Sequence, residues 1–211
     1  MSLLLYIVLG FAALFILSNF IWRLASNKRS LPCPSWLGWM VELDNPIFRN
    51  DSARVILSHL DVQPGMRALD YGCGPGRLSL PLARLLAPNG QVTAVDVQPE
   101  MLARVRAKAE AEQLGNITCL QAALQGAQLP SAAFDLAVLV TVLGEIPDQQ
   151  RALREVYTAL KPGGVLSVTE VIADPHFQTR KKVLNLAGEV GFEEQARFGG
   201  RWSYTLNFRK P

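Results

Sequence analysis

The chain has 211 residues, 49% of them hydrophobic, enough for one α/β domain with an appendage. Its net charge of +3 comes from Arg23, Lys28 and Arg29; the residues that follow are balanced, so no basic face is offered to nucleic acid. Three widely spaced cysteines, Cys33, Cys73 and Cys119, and two histidines, His59 and His176, make neither a disulfide framework nor a metal-ligand cluster.

The chain begins with an apolar run. Leu3 to Trp22 is 20 residues without a charge, about 30 Å as a helix, which matches a bilayer core. No basic residue precedes the run, so it reads as a retained single-span anchor rather than a cleaved leader. The basic residues that follow it place the rest of the chain on the cytoplasmic side of the membrane. The expected anchor with its flank is 1–29. Residues 30–50 form an amphipathic connector containing Pro32, Pro34, Trp36 and Trp39. Three placements are open for it: on the membrane surface, over the ligand site, or packed on the domain.

From residue 51 to 211 the pattern alternates and reads as one domain. A helix at 52–60 is followed by a strand at 66–70 and a helix at 77–86. Pro88-Asn89-Gly90 is turn chemistry. A strand at 91–95 comes next, then a helix at 99–113 that opens on Pro99 and Glu100, both favourable in a first turn. Strands at 117–121 and 134–141 follow, the second apolar enough for a buried central position. A helix at 148–160 is expected to stop at Lys161-Pro162-Gly163-Gly164 before a strand at 165–171. After a helix at 178–189, two runs at 192–198 and 202–209 look like a closing hairpin around Gly199-Gly200. Such alternation implies a mostly parallel sheet covered by helices on both faces, seven strands in all, closed by a C-terminal antiparallel hairpin.

The first strand runs into Asp70-Tyr71-Gly72-Cys73-Gly74-Pro75-Gly76-Arg77. Glycines at 72, 74 and 76 let the backbone turn sharply and approach a ligand closely, and the helix after them offers free N–H groups and a positive dipole end. A dinucleotide fingerprint would carry its third glycine where this chain has Arg77. Asp96 ends the second strand, one helix and one strand downstream, where a carboxylate can hold two ribose hydroxyls.

Glycine loop, Asp70 and Asp96 together resemble the class I S-adenosylmethionine-dependent methyltransferases, closest to the group that includes the quinone-biosynthesis C-methyltransferases. The likeness extends over roughly 51–211 and takes in Leu129-Pro130, the stretch Val142-Leu143-Gly144-Glu145-Ile146-Pro147-Asp148, and Lys161-Pro162-Gly163-Gly164. It implies S-adenosylmethionine as cofactor. Asp70, Gly72, Cys73, Gly74 and Gly76 would hold its methionine end and Asp96 its ribose. Val97, Met101 and Leu124 would flank the adenine, and Thr141, at the end of the fourth strand, completes the set. One position departs: where the group often has an acid for the adenine amino group, this chain has Ala123, with Gln125 as a candidate substitute. Candidates for taking a proton from the acceptor are Glu145, just after the fourth strand, Glu170, at the end of the fifth, and His176, which follows it, at the carboxyl ends where open α/β sheets bind ligands. The expected activity is methyl transfer to a small lipophilic molecule. The rival expectation is a non-catalytic, membrane-tethered scaffold with the same fold.

Overall fold

The computed structural model describes residues 52–211 and, within the apolar run, Tyr6, Leu9, Gly10, Ala13, Leu14, Leu17 and Ser18, all helical. The expected anchor and connector otherwise lie outside the described residues. Among the described residues no helix is long and apolar enough to cross a membrane.

The elements in chain order are α1 (Ala53–Ser58), β1 (Arg67–Tyr71), α2 (Ser79–Leu86), β2 (Gln91–Asp96), α3 (Pro99–Ala111), β3 (Ile117–Gln121), β4 (Phe134–Val140), a 3-10 turn (Leu143–Glu145), α4 (Gln149–Ala159), β5 (Leu160–Val171), α5 (Arg180–Val190), β6 (Glu193–Gly199) and β7 (Ser203–Arg209). Local chemistry accounts for the helix ends. Ser52, Asp148 and Thr179 each accept a backbone N–H of the following first turn, and Gly191 closes α5 with φ of +107°.

The seven strands form one sheet in the order β3-β2-β1-β4-β5-β7-β6. Strands β1 to β5 pair in parallel, and β7 runs antiparallel between β5 and β6. The central strand β4 is buried along nearly its whole length, as its apolar composition requires. One face of the sheet packs Ala68, Val92, Leu136 and Val138 against α1 and α2, and Ala94 against Leu102 and Val105 of α3. The other face packs Leu69, Ala137, Leu139, Leu166 and Leu206 against α4 and α5. Strand order reverses between β1 and β4, and this is where open α/β sheets form a crevice at their carboxyl ends.

One boundary differs from expectation. Lys161-Pro162-Gly163-Gly164 does not stop the chain in a separate turn; β5 begins at Leu160, directly after α4. The Gly163 N–H donates to the Lys210 carbonyl, the Lys210 N–H donates to the Gly164 carbonyl, and the Lys161 ammonium meets Asp135 at 2.6 Å. These partners are distant in sequence, and they draw the stretch into the sheet as an irregular start with a register shift opposite Phe134.

Candidate active site

The loop after β1 is shaped by its glycines. Gly72 and Gly76 both have φ of +89°, a region that side chains disfavour. A Cβ on Gly72 would overlap Val142, and one on Gly76 would come within 2.8 Å of Leu80. The loop is therefore clamped between the end of β4 and the helices beneath it. The Gly72 and Cys73 N–H groups donate to the Val95 carbonyl at 2.8 and 2.9 Å, which fastens the loop to the end of β2.

Asp96 stands at that end. Its Oδ2 accepts the Gly74 N–H at 2.8 Å and its Oδ1 accepts the Gln98 N–H at 2.9 Å. Burial raises its pKa, and these backbone donors oppose the rise. A carboxylate has about four acceptor positions, so both oxygens keep capacity for a pair of hydroxyls. Asp70 lies beneath the loop, buried, with Oδ2 accepting the Ser79 hydroxyl at 2.5 Å. Burial pushes its carboxyl up to about 6, with the hydrogen bond from Ser79 acting in the opposite direction.

A hollow of about 120 Å³ opens at this edge, walled by Gly72, Gly74, Asp96, Met101, Thr141 and Glu145 among others. A second hollow, about 210 Å³, adjoins it and contains Ala123, Gln125, Ile146 and Pro147. Val97, Leu124 and Glu145 line both, so the two hollows share a wall. Of the residues expected around a cofactor, Gly72, Gly74, Asp96, Val97, Met101, Leu124 and Thr141 are brought together on the first hollow. Ala123 borders the second. Asp70, Cys73 and Gly76 support the loop from below. Cys73 packs with Ala94, Leu102 and Val105, and burial raises its thiol pKa.

The three candidate proton acceptors separate. Glu145, on the 3-10 turn, faces both hollows. Glu170 and His176 are almost wholly buried and outside the walls of either. Burial drives the Glu170 carboxyl well above the usual range, and its Oε2 accepts the Gln178 N–H at 3.0 Å. His176 stands behind the wall, its Nδ1 3.7 Å from Glu145 Oε1 and 3.9 Å from Asp174 Oδ1. Sequence reasoning passed over Asp174, which lines the first hollow, and Ser79, which fixes Asp70. Ser79 had a legible signal, a hydroxyl residue one turn after the glycines. Asp174 had none beyond its place after the fifth strand.

A β1-loop-α2 cradle, a carboxylate at the tip of β2 and a seven-stranded sheet with an inserted antiparallel β7 make up the Rossmann-like fold of the class I S-adenosylmethionine-dependent methyltransferases. The residues fit that cofactor: Gly72 and Gly74, which bring bare backbone to the hollow, two carboxylate oxygens with spare acceptor positions, and an apolar flank of Val97, Met101 and Leu124.

Comparison with known proteins agrees. Residues 68–164 match the family model described as a methyltransferase domain. The chain is 32% identical over 124 residues to demethylmenaquinone methyltransferase of Listeria welshimeri, covering 59% of this chain and 52% of that protein. It is 30% identical over 134 residues to the ubiquinone/menaquinone biosynthesis C-methyltransferase UbiE of Shewanella sediminis, covering 63% and 53%. The chain thus spans about half the length of the curated relatives it matches. Among solved structures, a SAM-dependent methyltransferase from Aquifex aeolicus superimposes with a TM-score of 0.76 at 19% identity, over 85% of this chain and all of that one.

Proposed function

We propose that this chain transfers the methyl group of S-adenosylmethionine to a small lipophilic acceptor, of the quinol type that the names of its relatives suggest, while held at a membrane by its N-terminal apolar run. The observation that carries the reading is that two hollows lie side by side and share Val97, Leu124 and Glu145. The first has Gly72, Gly74 and Asp96; the second is lined by Ala123, Leu124, Ile146 and Pro147, an apolar surface suited to a ring or prenyl group.

When bound, S-adenosylmethionine supplies an electrophilic methyl carbon on a sulfonium centre. The chain's own contribution is alignment and exclusion of water. Asp96 would hold the sugar hydroxyls, and the Gly72–Gly76 loop would hold the methionine end. Glu145, on the wall common to both hollows, is placed to accept a hydroxyl proton from the acceptor. Removing that proton raises electron density on the ring carbon that forms the new bond. The uncharged run from Leu3 to Trp22 supports a tether that concentrates membrane-dissolved acceptor near the site, with the domain on the cytoplasmic side.

The test is incubation of the full chain in membranes with methyl-labelled S-adenosylmethionine and a set of lipophilic quinols, thiols and phenols. Label in a quinol carbon supports the reading. Label only in a thiol or phenol oxygen replaces the acceptor class, and no label in any extract with the cofactor still bound rejects turnover.

A further inference from the structure

Behind the wall of the donor hollow, one imidazole stands between two carboxylates that both face the hollow. His176 is 3% exposed, with Nδ1 3.7 Å from Glu145 and 3.9 Å from Asp174. The loop that carries Asp174 and His176 is held in place by its own hydrogen bonds and by β7. Asp174 Oδ1 accepts the His176 backbone N–H at 2.7 Å, and the Gln178 side-chain amide donates to the His176 carbonyl. The Tyr204 hydroxyl donates to the Gln178 carbonyl at 2.7 Å. On the opposite side the 3-10 turn presses against the same backbone, with no room for a side chain at Gly144.

We propose that His176 is a positioning residue: as an imidazolium it bridges Glu145 and Asp174 and holds both carboxylates, ionised, against the rim of the donor hollow. This rests on the reading of that hollow as the methyl-transfer site. Two carboxylates converging on one buried point repel each other, and without a cation between them one takes up a proton. A protonated Glu145 accepts nothing from an acceptor. Other charged groups weigh on the cluster. Glu170 of β5 faces Asp174 and Glu145, and its burial favours the neutral acid; Lys182 of α5 also acts on Glu170. Tyr204 of β7, close to Glu170, is kept in its neutral form by burial. Among the described residues, His176 is the basic side chain that lies within 4 Å of both wall carboxylates.

The chain has only two histidines, so imidazole 15N and 13C chemical shifts read each directly, with His59→Gln making the assignment. The expected result is a charged His176 ring at pH 7. Its titration midpoint is expected to fall by about 1 pH unit or more in Glu145→Gln and in Asp174→Asn, the change typical of losing an opposite charge at this distance. A ring that is neutral at pH 7, or a midpoint unmoved by both substitutions, overturns the proposal. These spectra do not depend on turnover, so an enzyme inactive towards every acceptor leaves them informative. In an active enzyme, His176→Gln is expected to lower kcat at least tenfold and to shift the acidic limb of the pH profile upward, with little change in KM. A His176→Gln effect on stability alone, with the pH profile intact, also overturns it.

Discussion

The Asp96 carboxylate accepts the Gly74 N–H at 2.8 Å, so the tip of β2 closes the glycine loop that follows β1. One side chain thus shapes the loop and presents spare acceptor positions to the hollow. Ligand affinity and loop order are coupled through it. Hydrogen bonds to a charged group contribute about 1.5–3 kcal/mol, so Asp96→Ala is expected to weaken S-adenosylmethionine binding by about 10- to 150-fold in isothermal titration. Asp96→Asn retains one acceptor oxygen and should fall between the two. Equal binding by wild type and Asp96→Ala removes Asp96 from the sugar site.

Gly72 has a φ that only glycine adopts without strain, and a blocked side-chain position. Gly72→Ala is expected to destabilise the fold by about 2–4 kcal/mol, combining left-handed strain with overpacking against Val142. Val142→Ala in the same chain removes the worst overlap, with Cγ2, keeps Cβ at 2.9 Å and leaves the strain. Urea unfolding of the four variants should show a favourable coupling of about 1 kcal/mol or more. Strict additivity means that the loop yields elsewhere.

Much of this architecture was legible because the determining signals are local. The third strand was expected and found at Ile117–Gln121, and the order of apolar runs, glycines and capping residues located the loop, Asp96 and the helices. What escaped was set by contacts distant in sequence. Lys161-Pro162-Gly163-Gly164 reads locally as a helix stop, yet Asp135 and Lys210 draw it into β5. Glu170 and His176 read as candidate bases at and after the carboxyl end of the fifth strand, on the ligand side. They are buried because β7 inserts beside β5, pairing Tyr204 with Glu170, and because Tyr204 anchors the Gln178 backbone over them. No window of the chain around residue 170 or 176 carries that information.

Asp70 makes stability depend on pH in a direction opposite to a salt-bridged acid. Its folded-state pKa, raised to about 6 by burial, lies above the usual carboxylate range. Between about pH 4 and pH 6 the folded chain holds a proton that the unfolded chain has released, so this residue's contribution falls as pH rises and is fully lost above pH 6. The size is about 3 kcal/mol, from about two pH units at 1.36 kcal/mol each. Asp70→Asn cannot titrate and its side-chain oxygen can still accept the Ser79 hydroxyl. Its stability relative to wild type should therefore improve by about 2–3 kcal/mol between pH 4.5 and pH 7.5 in urea unfolding. A difference that is constant across this range indicates that Asp70 titrates normally.

Gly144 and Gly188 give a paired test of whether space or backbone freedom decides a glycine. A Cβ on Gly144 would overlap the His176 carbonyl oxygen and stand 2.7 Å from His176 Cβ. Gly144 has no positive φ, so the obstacle is the neighbouring backbone, which has no alternative rotamer. Gly144→Ala is expected to lose about 1–3 kcal/mol of stability by overpacking, and to push Glu145 away from the donor hollow, weakening turnover more than cofactor binding. Gly188, inside α5, has nothing within 4 Å of its Cβ position. Gly188→Ala should therefore raise stability by up to about 1 kcal/mol, through helix propensity and a less disordered unfolded chain. Denaturant midpoints measure both. If the two substitutions shift the midpoint in the same direction, contact between the 3-10 turn and the loop at 174–178 is not what requires glycine at 144.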